Sequence, residues 1–275
     1  MVLLELGALF SLDKKADASV ISAVVSRVFN TMGYAAVSPG PTDFGRENDP
    51  LKELAAELNC PLITSNIVYK KGGGHYGQKY AVHKAGNIRI GMIGVMPENA
   101  FSKMPVMKVP AGLKIIPPES AIKTLVPELL PQTDMIVLLS QCGYFETEKL
   151  AALDGIDYVL YSANQEYEEE FKRRRKTIGI HCLKNNETDL KYLQLTLAGD
   201  GNIQVQKKEI ELHGGIAEDE RIASIVEEEP ARLEKQRRLE QAREVWRIPP
   251  LEYMEMMNEQ HRREMEKRKD GNANG

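Results

Sequence analysis

The chain has 275 residues, 42% of them hydrophobic and 28% charged, with a formal net charge of −4. That length can bury a sizeable core, as one large domain or as a domain with an appendage. The charge balance argues against a nucleic-acid binder, and no apolar stretch approaches the roughly 20 residues of a membrane span.

Met1 to Phe10 reads as a strand. It lacks a basic leader and a small-residue cleavage site, so it reads as buried rather than as a signal peptide. The sequence as given is therefore expected to be cytoplasmic. It enters its first strand with no lead-in, however, and a start upstream of Met1 would make it periplasmic. Ala18 to Met32 has helical spacing at Val20, Val24, Val28 and Met32 and stops at Gly33. Tyr34 to Val37 is the next strand. It runs into Ser38-Pro39-Gly40-Pro41-Thr42-Asp43, a strand-end loop of the kind that carries working side chains in enzymes, here filled with prolines.

Asp49 caps a helix through Leu58, with Pro50 at its first position. Pro61 to Asn66 reads as a strand. Tyr80 to His83 and Ile88 to Val95 form a hairpin around Ala85-Gly86-Asn87. Glu119 to Leu130 is a helix behind Pro117-Pro118, and Asp134 to Ser140 is an apolar strand suited to a sheet covered on both faces. Thr147 to Leu153 is a short helix. Tyr158 to Tyr161 and Thr177 to Leu183 are further strands. Leu190 to Leu197 and Ile203 to Leu212 are joined by Gly199-Asp200-Gly201. The whole is an α/β chain that ends in antiparallel pairs.

Near Gly214 the composition changes. Residues 1–213 form the α/β domain and 214–275 a charged helical tail, frayed at its DGNANG end. Residues 217–269 are rich in Glu, Arg, Lys, Gln and Met. They read either as helices lying on the core or half-solvated, or as a docking arm for a protein partner or a second copy. In the second reading Trp246 anchors the stretch from Arg243 to Tyr253, and the methionine stripe from Leu251 to Lys269 projects.

The three cysteines, Cys60, Cys142 and Cys182, show no CxxC spacing and read as free thiols. Cys142, His181 and Cys182 lie near strand ends, where a redox or metal cluster is the alternative to ordinary packing. The glycine-rich KKGGGHYG at 70–77 lacks the phosphate-loop pattern and reads as a flexible hairpin loop. FKRRRKT at 171–177 follows EYEEE at 166–170, and the two read as a solvated, self-compensating charged face or as an anion or acidic-partner contact.

Taken in order, LLELGALFS at 3–11, MGYAAVSPGPTDFG at 32–45, LKELAAELNCPLITSNIVY at 51–69, IRIGMIGVM at 88–96, IVLLSQCG at 136–143 and GIDYVLYSANQ at 155–165 resemble the metallophosphoesterase domain of the 5′-nucleotidase and UDP-sugar hydrolase family. The resemblance covers about residues 2–212. It implies a two-sheet αββα sandwich of the calcineurin-like type, with the strands that end at Gly7, Val37, Ser140 and Tyr161 converging on one edge.

The family holds two divalent metals at that edge, where they generate a hydroxide and clamp the phosphate. Carried over by position, the bridging Asp falls on Ala8. The Asn and His of the second motif fall on Pro41 and Thr42, and its Glu on Asp43. The His of the next motif falls on Gln141, and the last two His fall on Ala163 and Gln165. The family's first Asp-x-His motif and its C-terminal nucleobase-binding domain have no counterpart in this chain. The resemblance thus implies a scaffold without its metals or catalytic residues, acting as a binding or scaffolding protein. The alternative is an active phosphoesterase with a non-standard or incompletely represented site.

Overall fold

The computed structural model describes residues 1–7, 9–10, 18–44, 49–100, 102, 112–162, 178–182, 189–197, 203–227, 230–232, 235 and 238. The chain divides into two units, Met1–Ile225 and Val226–Gly275. In the first, the elements run β1 (Leu3–Glu5), α1 (Ala18–Met32), β2 (Tyr34–Val37), α2 (Pro50–Glu57), β3 (Ile67–Tyr69), β4 (Ala81–Ala85), β5 (Ile88–Val95), β6 (Leu113–Ile115), α3 (Pro118–Leu129), β7 (Met135–Ser140), α4 (Tyr144–Ala151), β8 (Tyr158–Ser162), β9 (Ile178–Cys182), β10 (Asp189–Leu197) and β11 (Ile203–Glu211). In the second, residues 230–232 are helical.

Five strands form one sheet in the order β4-β5-β7-β8-β9. β4 and β5 are an antiparallel hairpin, and β5, β7, β8 and β9 are mutually parallel. Residues alternate between the faces of a strand, and this alternation sorts the sheet's side chains into two cores. Ile93 and Val95 of β5, Ile136 and Leu138 of β7 and Val159 and Tyr161 of β8 join Ile122, Leu125 and Leu129 of α3 and Leu150 of α4. Ile90 and Met92, Met135, Val137 and Leu139, and Tyr158 point the other way, where they meet Leu6, Ala36 and Ile63, with Leu4 packed alongside. All six residues of β7 are buried, because both of its faces are covered.

β1 and β2 pair in parallel as a second sheet. Beyond it, Val37 joins Phe29, Leu51 and Leu54 of α1 and α2 in a third core. The order of layers is therefore helix, sheet, sheet, helix. Each large apolar side chain removed from water contributes roughly 1.5–3 kcal/mol, so the three cores dominate the stability of the unit.

The sequence-based bounds of α1 and β2 coincide with the observed ones, and Gly33 ends α1 at φ +73°. Other bounds shift for identifiable reasons. The first strand is only Leu3–Glu5 rather than Met1 to Phe10, because Gly7 turns the chain at φ +81°. Pro61 to Asn66 is not a strand. Leu62 and Ile63 make single bridges to Val37 and Gln78, and the chain then leaves the ladder. Ser65 Oγ donates to Lys79 O and accepts from Gly94 N–H, while Asn66 Nδ2 donates to the carbonyls of Met96 and Ile116. Side chains here replace backbone pairing.

Asp49 precedes α2 in a left-handed conformation and makes no side-chain cap. Its Oδ1 accepts from the Tyr76 hydroxyl at 2.5 Å instead. α4 starts at Tyr144, not Thr147, after Gly143 at φ +71°. β6, which sequence pattern misses, pairs with β3. β10 and β11 form a nine-pair hairpin.

Candidate functional site

The ends of the parallel strands meet on one edge. The pairs Val95–Ser140 and Ser140–Tyr161 set the ends of β5, β7 and β8 level, and Gln141 N–H donates to Val95 O at 2.9 Å. The second sheet closes on this row at one point. A Cβ on Gly94 would lie 2.5 Å from Ser38 Oγ, so the sheets touch there with no room for a side chain.

The loop after β2 is held to the end of β1 by both backbone and side chains. Ser38 N–H donates to Glu5 O at 2.8 Å. Gly40 lies so near Gly7 that a Cβ on Gly7 would stand 2.1 Å from Gly40 N. Pro41–Asp43 then form a single 3-10 turn, closed by Asp43 N–H donating to Gly40 O at 3.1 Å. Asp43 is 1% exposed. Its Oδ2 accepts from Gly40 N–H at 2.8 Å, and its Oδ1 accepts from Phe10 N–H at 3.1 Å. Both oxygens thus staple backbone to backbone.

The second junction lies at the end of β7. Ser140 Oγ is within 2.7 Å of Thr147 Oγ1 and accepts from Cys142 N–H at 3.3 Å, tying the strand end to the first turns of α4. Tyr144 stacks edge-on against Tyr161 at 6.3 Å and against Phe145 at 5.3 Å. Gln141 follows Ser140 directly, and its buried Nε2 has no hydrogen-bond partner among the described residues.

The expected site positions fall as follows. Pro41, Thr42 and Asp43 share the turn after β2, and Gln141 follows β7 on the same edge. Ala8, Ala163 and Gln165 lie outside the described residues. Of the thiol and imidazole group, Cys142 is half-buried, and burial pushes its thiol up to about 12, so it stays protonated at neutral pH. His181 and Cys182 pair with Tyr161 and Ser162 on β8. That sets them on β9, with β8 between them and β7.

Sequence reasoning missed Glu5. Its side chain accepts from Leu6 N–H at 3.0 Å. Desolvation is the main reason its carboxyl rises to about 7; the neighbouring Asp43 adds to the rise, and the backbone N–H groups of Leu6 and Gly7 oppose it. The available signal was a lone acid inside the apolar run Met1 to Phe10.

A dinuclear metal centre does not fit these donors. Pro41 offers no side-chain donor, and Thr42 and Gln141 offer neutral oxygens, which are poor ligands for a transition-metal pair. Asp43 spends its oxygens on amides. No group of three or more His, Cys, Asp and Glu converges among the described residues. Among the same residues no helix is long and apolar enough to cross a membrane.

No protein-family model matches the chain. A 5′-nucleotidase of Vibrio vulnificus is 27% identical over 120 residues, which is 43% of this chain and 22% of that protein. The sulfate thiohydrolase SoxB of Thermus thermophilus superposes with a TM-score of 0.69 at 19% identity, over 85% of this chain and 43% of that one. The 5′-nucleotidase precursor of the same organism gives 0.65 at 17%, over 85% and 50%. The calcineurin-like phosphoesterase YfkN of Bacillus subtilis gives 0.61 at 14%, over 84% and 83%. The chain spans about a fifth of its curated relative and under half of SoxB. With the αββα layers and the shared strand-end edge already in place, these likenesses show that the chain carries the calcineurin-like metallophosphoesterase fold of the 5′-nucleotidases.

Proposed function

We propose that the chain uses the metallophosphoesterase scaffold without its hydrolytic chemistry, as a binding or scaffolding protein. The observation that carries this reading is Asp43. It is the one carboxylate at the matched positions, and both of its oxygens hold backbone N–H groups. A hydrolytic site of this class needs ligands that hold two cations at a few ångströms and generate a hydroxide. Pro41, Thr42 and Gln141 supply neither charge nor imidazole. The tail, residues 217–269, is the proposed partner-binding or self-association arm. Trp246 and the methionine stripe that would anchor it lie outside the described residues.

A second reading keeps the chain a metal-dependent hydrolase. Its support is that the relatives are named nucleotidases and phosphoesterases, and that this chain spans only part of several of them. On this reading further residues complete the site.

Elemental analysis of the purified chain, with phosphate release from nucleoside monophosphates in added manganese or zinc, separates the readings. A binding protein retains no stoichiometric metal and releases phosphate at background rates. Metal-dependent turnover that disappears on changing Asp43 overturns the proposal.

A further inference from the structure

Charge is unevenly distributed along this chain. Residues 59–118 hold eight Lys and Arg against one acid, Glu98, although the whole chain has 40 acids and only 36 of these bases. That stretch builds β3, β4, β5 and β6. Two of its bases are neutralised by acids from outside it, Lys79 by Glu128 and Arg89 by Asp134. Lys70, Lys71, Lys84 and Lys114 are exposed and take part in none of the described ion pairs. Lys103 and Lys108 lie outside the described residues.

Backbone pairing gathers the unpaired cations around β3. On one side β6 runs antiparallel, with Lys114 opposite Val68, and Lys70 N–H donates to Gly112 O at 2.7 Å just beyond that ladder. On the other side the chain returns after the glycines, with His75 opposite Val68. Residues opposite one another share a face of a ladder, and so do residues two apart on a strand. Lys70, His75 and Lys114 therefore share the face of Val68, and Lys71 follows at the turn. This turn has a fixed base. Tyr69 N–H donates to Gly74 O at 2.8 Å, and Tyr76 N–H donates to Ile67 O at 3.0 Å. The Tyr76 hydroxyl donates to Asp49 Oδ1, and its ring packs against Phe44 at 5.5 Å and Tyr69 at 6.4 Å. His75 Nδ1 lies 3.2 Å from Thr64 O; a carbonyl only accepts, so that nitrogen carries a proton.

We propose that this face, formed by Lys70, His75 and Lys114 with Lys71 beside them, docks an acidic segment of a partner protein. Its positive charge is matched by no acid of its own stretch, and a fixed base lowers the entropy lost when the lysines engage carboxylates. A long nucleic acid is the poorer match, because acids outnumber bases in the rest of the chain and repel an extended polyanion. A short acidic segment meets the basic face alone. This surface is independent of whether the chain hydrolyses phosphoesters.

The test is fluorescence anisotropy of a labelled Glu-rich peptide titrated with the full chain at physiological salt, where remote charges are screened. The expected result is saturable binding that a matched peptide with Gln for every Glu does not show. Lys70→Glu and Lys114→Glu should each weaken binding fivefold or more. Lys84→Glu makes the same charge change on β4, in the five-stranded sheet, and should weaken it less than twofold. A second readout needs no variant: with the wild-type lysines carbon-13 methylated, the NMR signals of Lys70 and Lys114 should shift on adding the peptide and that of Lys84 should not. Absence of binding, equal binding of the Gln peptide, or an equal effect of Lys84→Glu each overturns the proposal. So does tighter binding of an oligothymidylate or of phosphatidylserine vesicles, or self-association that Lys70→Glu abolishes, because each assigns the face to another partner.

Discussion

The two strand-end junctions, after β2 and after β7, are built in opposite ways. After β2 the loop is sealed. Prolines stiffen it, Asp43 holds two amides, and Gly7 and Gly40 touch backbone to backbone. After β7 the chain is looser. Gly143 at φ +71° has nothing within 4 Å of its would-be Cβ, Phe145 is 68% exposed, and the buried Gln141 Nε2 lacks an acceptor among the described residues. The first junction has become part of the core. The second holds a buried polar group with no partner among the described residues, which costs stability.

Glycine substitutions should widen this difference most. Gly7→Ala adds a Cβ 2.1 Å from Gly40 N at φ +81°, so it meets both a backbone clash and a left-handed strain. Overpacking costs about 1–3 kcal/mol and the strain about 1–2 kcal/mol, which together threaten the fold. Gly143→Ala meets open space and should lose only the strain of its φ +71°, ψ +173° backbone, about 1–3 kcal/mol. Urea unfolding of the two variants checks this. Equal losses would mean that the first junction is no tighter than the second.

Next in size are the two acids. Asp43→Asn replaces one acceptor oxygen with a donor, so either Phe10 or Gly40 loses its partner, at a cost of about 1–3 kcal/mol. For Glu5 the sign runs the other way from most carboxylates. Its folded value is raised from 4.5 to about 7, so the folded state binds the extra proton. Stability linked to Glu5 is fully present below pH 4.5 and is lost as pH rises through about 7. The wild-type chain should therefore unfold at lower urea at pH 8 than at pH 5. The loss should be about 2 kcal/mol, at ~1.4 kcal/mol for each tenfold change in proton affinity and with allowance for partial solvation. Glu5→Gln should flatten that part of the profile. An unchanged slope in the variant would assign the pH dependence to other groups.

The fold was legible wherever apolar period and punctuation agree. Val20, Val24 and Val28 with Gly33 set the bounds of α1, and the unbroken MIVLLS marked β7 as covered on both faces. The motif order also put the ends of β5, β7 and β8 side by side, which the strand register bears out. What sequence did not reveal depends on contacts between distant residues. Asn66 bonds Met96 and Ile116, thirty and fifty positions away, which takes it out of a strand. Asp43 reads as a remnant acid until Phe10, thirty-three positions earlier, is seen to donate to it. Glu5 passed as one polar residue in a strand, because its state is set by burial and by Asp43. Ala8, Ala163, Gln165 and Trp246 lie outside the described residues, and their roles rest on the sequence alone.

The smallest effect is the most informative about the second junction. Gln141→Met keeps the length of the side chain and removes the amide. A buried polar group without a partner costs about 1–3 kcal/mol, and Met conforms to irregular space. The exchange should therefore stabilise the chain slightly, by up to about 1 kcal/mol, against the usual trend for substitutions near a strand end. Gly143 and α4 keep their geometry, because Ser140, Thr147 and Cys142 hold that junction without Gln141. A gain in thermal midpoint of a few degrees or less, with the unfolding slope unchanged, is the expected outcome. A loss of stability would mean that Gln141 Nε2 finds an acceptor in solution, and that the second junction is as closed as the first.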